Sequence, residues 1–172
     1  FGIQTLSTTI ATGFNAGLDA LIYSADYIKR GYCEAILAGG LEEISYYALA
    51  GMLRSGVLSA SGAMQPMGAS ADGFVAGEGC GLVLIENAES AGARGATVMA
   101  EIVGSSSLFD PAASAGKPDS TVLSAAVQQA CEEAGIATTD IGLVASSANG
   151  SPALDAAHAA VIRQRYPEAP VA

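Results

Sequence analysis

Hydrophobic positions recur with two different periods along these 172 residues, and the period changes mark the elements. Residues 2–8 alternate, with Ile3, Thr5 and Leu6 in a strand-like run. From Gly13 to about Gly31 the spacing becomes helical, with Phe14, Leu18, Leu21, Ile22, Ala25 and Ile28 on one stripe. Lys29 and Arg30 fall in the last turn, where cations oppose the negative end of the helix dipole. Gly31 is a helix stop. "CEAILAGG" then reads as a short apolar strand ending in paired glycines. Strand, helix and strand in that order predict a right-handed parallel crossover.

The rest of the chain repeats the theme with more turns. "ISYYALAGMLRSG" has the pattern of one helix, and "ASGAMQPMGAS" that of a loop. "DGFVAGEGCGLVLIENAESAGARG" gives a glycine-rich turn, a buried strand at 80–86 and a short helix at 87–94. "TVMAEIVGSSS" is expected to pair with that strand as its antiparallel neighbour. "FDPAASAGKP" is a loop. Asp119 can cap a helix running to Ala134, with Leu123, Val127, Ala130, Cys131 and Ala134 on one face and Gly135 as its stop. "IGLVASSANG" reads as strand and turn, 154–166 as a final helix and "EAPVA" as a last strand. The two halves echo each other in the order helix, glycine stop, short strand, loop of small residues.

Composition narrows the function classes. The chain is 51% apolar and 14% charged, enough to bury a sizeable core in an α/β fold. Many Gly and Ala and no Trp favour close helix–sheet packing. A net charge of −10 argues against nucleic acid, whose phosphates need clustered Lys and Arg. No apolar run has the length of a membrane span and no signal peptide is visible, so neither a membrane nor secretion is expected. Cys33, Cys80 and Cys131 are widely spaced and odd in number, forming no metal pattern and no disulfide framework. Cys131 and Cys80 read as core, and the cytoplasm is the simplest compartment. The strand-like runs at both ends suggest a piece of a larger subunit, with the remaining segments as partners.

The candidate chemistry sits in "STTIATGFNAG", residues 7–17. Small and hydroxylated residues lead through a glycine into a helix, a design that places a nucleophile at a helix N-terminus. Its apex, Ile10, can neither attack nor ionise. Taken alone, the stretch is either such a turn without its catalyst or a plain strand–helix junction. "GEGCG" is not a phosphate loop, since no Lys–Ser/Thr follows and a strand comes next. Glu42 and Glu43 read as a solvated or loop-capping pair. His158 is the only histidine, so a Cys–His couple would have to use it.

Three segments together resemble the β-ketoacyl-acyl carrier protein synthases of the thiolase fold. "TTIATG" (8–13) is similar to the family's "TACASG" turn, with Ile10 in place of the nucleophilic cysteine. "DGFVAGEGCGLVLIENAESAGARGA" (72–96) is the most specific match. "SANGSPALDAAHA" lies where the family has "NAHGTST" followed by an Asp and a Glu. There Asn149 stands in place of the first catalytic histidine, Asp155 is retained and His158 replaces the Glu. The resemblance implies a layered α/β/α thiolase-like architecture with mixed sheets, incomplete in this chain. Residues 1–100 would be the end of the N-terminal half and 101–172 the start of the C-terminal half. It implies no cofactor and no metal. It further implies a non-catalytic subunit like the chain-length factor (KSβ) of type II polyketide synthases. Such a subunit would form a heterodimer with an active ketosynthase (KSα), which condenses malonyl units on acyl carrier protein. Thr5, Ile10 and Phe14 would then lie at the interface or the polyketide tunnel. The alternatives are an active β-ketoacyl synthase of unusual chemistry, or a degenerate domain with a purely structural role.

Overall fold

The computed structural model describes residues 6–172, the side chain of Ser114 excepted. In chain order the regular elements are α1 (Ala16–Lys29), β1 (Ala35–Glu42), α2 (Tyr46–Ser55), β2 (Gly79–Glu86), α3 (Ala88–Ala93), α4 (Ser120–Ala134) and α5 (Pro152–Arg165). They fall into two compact units. One holds the residues up to Glu43 together with Glu78–Ile102, and the other Ile44–Gly77 with Val103–Ala172. Most of the strand expected at 2–8, Thr5 included, lies outside the described residues, and 6–8 are irregular. Among the described residues no helix is long and apolar enough to cross a membrane.

In the first unit a 3-10 turn at Gly13–Asn15 leads into α1. Gly31, at φ 73°, closes the helix and donates its N–H to the Ile28 carbonyl. Ser24, Ala25 and Ile28 are buried, whereas Phe14 and Leu18 are 79% and 62% exposed. The stripe is therefore covered only along its C-terminal half. β1 and β2 pair antiparallel, from Ala35 opposite Glu86 to Glu42 opposite Gly79. Glycines fix that register and the helix distance. A Cβ on Gly39 would lie 1.9 Å from the Gly81 carbonyl oxygen, and one on Gly17 would lie 3.6 Å from the Gly40 Cα. Arg94, just after α3, grips Glu86 of β2 through Nε and Nη2 and holds that carboxyl below the usual range.

Residues 97–107 do not pair with β2 as expected. β2 takes β1 as its partner, and 96–109 form no strand among the described residues. Alternating hydrophobicity makes a segment extended, but it does not choose the partner. Cys80, expected in the core, is exposed on β2, while Cys33 and Cys131 are half-buried.

In the second unit α2 starts under the Ser45 hydroxyl, which accepts the Ala48 N–H, and stops at left-handed Gly56. α4 is capped by Asp119 and ended by Gly135, as its sequence predicts. The stretch 103–107 lies along α4. A Cβ on Gly104 would meet the Ala130 carbonyl oxygen at 2.2 Å, and Ser105 donates its N–H to Glu133. α5 packs on α4, with Arg165 donating through Nε to Ser124 Oγ at 2.7 Å. Phe74, Ala157 and Val161 are the buried apolar residues of this unit. The strands read in "IGLVASSANG" and "EAPVA" reduce to one parallel bridge between Val144 and Val171.

Candidate functional site

Two turns carry the candidate residues, one in each unit. The first runs into α1. Ile10 is half-buried in an irregular stretch, Gly13 has φ 78°, and the Thr12 hydroxyl donates to the Asp19 carboxylate in the first turn of the helix. That negative charge suits the positive end of the dipole. Asn15, the N-cap, makes no side-chain cap, so none of these amides is closed off by it. Phe14 stands exposed beside them. Electrostatically the turn lies at the positive end of the α1 dipole. Chemically, Ile10 brings no nucleophile to it.

The second turn is built differently. "NG" at 149–150 sets a tight bend, and Gly150 at φ 92° comes so close to Gly73 that an added Cβ would sit 2.4 Å from its carbonyl oxygen. Gly73 returns its own N–H to the Gly150 carbonyl at 2.9 Å. Beneath the bend lies Asp155, 4% exposed in the first turn of α5. Its Oδ1 accepts the Asn149 N–H at 3.0 Å, and its Oδ2 accepts those of Gly150 at 3.0 Å and Met67 at 2.7 Å. A buried carboxylate is tolerable when donors surround it, and here backbone amides supply them. A carboxylate so occupied acts as a structural acceptor, not as a general base.

Asn149 accepts the Ser151 N–H on its side-chain carbonyl at 3.0 Å, which leaves the NH2 as its donor. An amide has no titratable proton, so it can orient a group but cannot perform acid–base catalysis. His158, one turn on from Asp155, faces Ser146, with Nδ1 and Oγ 3.2 Å apart. The same hydroxyl accepts the Ala148 N–H. Burial pushes the imidazole below its ordinary range, against the opposing pull of the Asp155 charge.

Asn149, Asp155 and His158 thus come together in one unit, while Ile10 and Phe14 belong to the other and Thr5 lies outside the described residues. Sequence reasoning missed Met67, Gly73 and Ser146. Met67 and Gly73 contribute backbone groups, which leave no side-chain signature, although the "DG" and "NG" pairs marked the bends.

Comparison with known proteins gives this arrangement its context. Residues 1–91 match the beta-ketoacyl synthase N-terminal domain and residues 99–171 the beta-ketoacyl synthase C-terminal domain. The chain belongs to the beta-ketoacyl synthase family. It is 35% identical over 171 residues to the tetracenomycin polyketide synthase ketoacyl synthase beta subunit of Streptomyces glaucescens, covering 96% of this chain and 41% of the relative. It is also 35% identical over 168 residues to 3-oxoacyl-[acyl-carrier-protein] synthase 2 of Staphylococcus aureus, covering 94% of this chain and 41% of that protein. Its backbone is similar to a structure described as a type II PKS acyl-carrier protein in complex with its ketosynthase bound to the hexaketide. There the TM-score is 0.88 at 26% identity, over 96% of this chain and 44% of that one. The chain thus has the thiolase-like fold, and it spans about 41% of the length of the curated relatives it matches.

Proposed function

We propose that this ketosynthase chain is part of a chain-length-factor subunit, in which the synthase scaffold is retained without its catalytic groups. The observation that carries the reading is Ile10, at the turn where by resemblance the nucleophilic cysteine falls. Asn149 in place of the histidine and His158 in place of the Glu support it. Three replacements in one chain are what relaxed selection on catalysis leaves behind. The similarity to a ketoacyl synthase beta subunit supports it further.

In this reading the subunit pairs with an active ketosynthase and walls the tunnel that holds the growing polyketide. The partner performs the decarboxylative condensation on acyl carrier protein. Residues 1–100 close the N-terminal half and 101–172 open the C-terminal half. Ile10 and Phe14 face the tunnel, and Thr5, outside the described residues, is assigned to the interface by resemblance. The apolar, exposed side chain of Phe14 fits a surface that another apolar body covers.

A second reading, an active synthase of unusual chemistry, is favoured by the equal 35% identity to the Staphylococcus aureus 3-oxoacyl synthase. Mass spectrometry separates the two. The subunit, purified with its partner and incubated with malonyl- and acyl-loaded carrier protein, is expected to carry no covalent acyl adduct, while the partner does. An acyl adduct on this subunit sinks the proposal.

A further inference from the structure

We infer that Asp155 latches two separate loops into one unit, so that the turn at Gln65–Gly68 sets the position of Asn149. The inference deepens the reading above, because the position it concerns is the one assigned there to the lost histidine. Oδ2 of Asp155 is shared between the Gly150 and Met67 N–H groups, and Oδ1 takes Asn149. One buried side chain therefore holds donors 88 residues apart in sequence from itself at one end and five or six at the other. Met67 bears a cost for this. It is the one non-glycine with positive φ among the described residues, at 55°, a conformation that side chains with a Cβ avoid. Such strain persists only where surrounding contacts impose it. Here those contacts are the Asp155 hydrogen bond and the Gly68 N–H to the Gln65 carbonyl, which closes the turn. Gly73 and Gly150 add a second tie between the same two regions, with the Gly73 N–H on the Gly150 carbonyl. The Met64 and Met67 side chains remain 51% and 38% exposed, so the turn has a surface on which a contact can act. A body that moves the 65–68 turn therefore moves Asn149. Opening the latch removes one of the two contacts that hold Met67 at its strained φ.

The test reads amide hydrogen exchange, resolved by residue, in the subunit purified with its synthase partner. Asp155→Asn removes one acceptor atom and sets an NH2 against the backbone donors. Exchange at Met67, Asn149 and Gly150 should accelerate together by tenfold or more, with Val161 in the middle of α5 unchanged. Met67→Gly keeps the N–H and removes the strain, so exchange at Asn149 and Gly150 should slow several-fold, although neither residue has been altered. A side chain that merely caps α5 would leave Met67 unaffected in the first variant and Asn149 unaffected in the second. Either of those results overturns the latch. Should Asp155→Asn loosen Val161 as well, the Met67→Gly arm decides alone, and no slowing at Asn149 refutes the inference. An acyl adduct on the subunit would refute the functional reading and leave the latch untouched.

Discussion

In the function proposed above, the turn at Ile10 and the turn at Asn149 each lack a catalytic side chain, yet their surroundings differ. At Ile10 a half-buried side chain sits in an irregular stretch ahead of a helix whose N-cap makes no side-chain bond. At Asn149 the backbone is fixed by a buried carboxylate, a glycine–glycine contact and an Asx turn. The difference lies in what holds each backbone. Around the first turn lie Gly13 with positive φ, the Thr12–Asp19 hydrogen bond and the helix that follows. The second is shaped by polar groups that must all be paired. On the proposed function, Asp155 is kept where acid–base chemistry is lost because its carboxylate holds three backbone N–H groups of the fold.

The sharpest way to break the comparison is to remove that carboxylate. Asp155→Ala leaves three backbone N–H groups without their acceptor, two of them on the bend at 149–150. Each costs about 1–3 kcal/mol. Denaturant unfolding of the purified complex should register a loss of several kcal/mol or failure to assemble. Ile10→Ala, which removes a half-buried side chain ahead of α1, should cost only about 1–2 kcal/mol. Equal losses at the two positions would show that the turns are held alike.

Glycines give the next effect. Gly39→Ala sets a Cβ 1.9 Å from the Gly81 carbonyl oxygen in the first unit, and Gly150→Ala sets one 2.4 Å from that of Gly73 in the second. Both contacts are with backbone, which cannot swing aside. About 2–4 kcal/mol is expected from each. Gly77→Ala, where nothing lies within 4 Å of the new Cβ, serves as the control and should unfold as the parent does.

These contrasts also explain what could be read from the chain. α1, α4 and α5 were legible because helical periodicity and caps such as Asp119 and Gly135 are local signals. β1 and β2 were legible as strands, but their partnership was not. It depends on Gly39 fitting against Gly81, a cross-strand clash that no local pattern encodes. The segment 97–107 alternates like a strand, yet its end at 103–107 lies along α4 through Gly104 and Ser105. At the site, Asn149, Asp155 and His158 stood out by resemblance. Met67 did not, because its contribution is an N–H and an unusual φ.

The histidine supplies a smaller effect with a definite sign. Burial places the folded-state value of His158 below its ordinary one, despite the Asp155 charge. Its contribution to stability is therefore present above the unfolded value of about 6.5 and is lost as pH falls through the folded value. Unfolding midpoints should drop on acidification from about pH 7 and drop less in His158→Gln, which keeps polarity without the charge. The Ile10 turn contains no histidine, so Ile10→Ala should shift the whole curve without changing its slope. A His158→Gln protein with an unchanged pH slope would place the acid sensitivity elsewhere.

The smallest effect on the fold is expected from placing a thiol at the turn ahead of α1. Ile10→Cys trades one apolar side chain for a smaller one at a half-buried position, so stability should fall by only about 1 kcal/mol. The thiol would lie ahead of helix N–H groups that Asn15 does not cap, an environment that favours thiolate. Labelling by iodoacetamide should therefore be readily detected at this position. Condensation should not follow. A nucleophile accepts an acyl group, but decarboxylation and carbanion stabilisation also need groups that hold and deliver charge. Asn149 supplies an amide without a titratable proton, and both oxygens of Asp155 are committed to backbone donors. With the partner's own cysteine removed, Ile10→Cys should accept an acyl group from loaded carrier protein and elongate nothing. Detectable chain extension by that single variant would mean that the second turn still performs the chemistry its residues argue against.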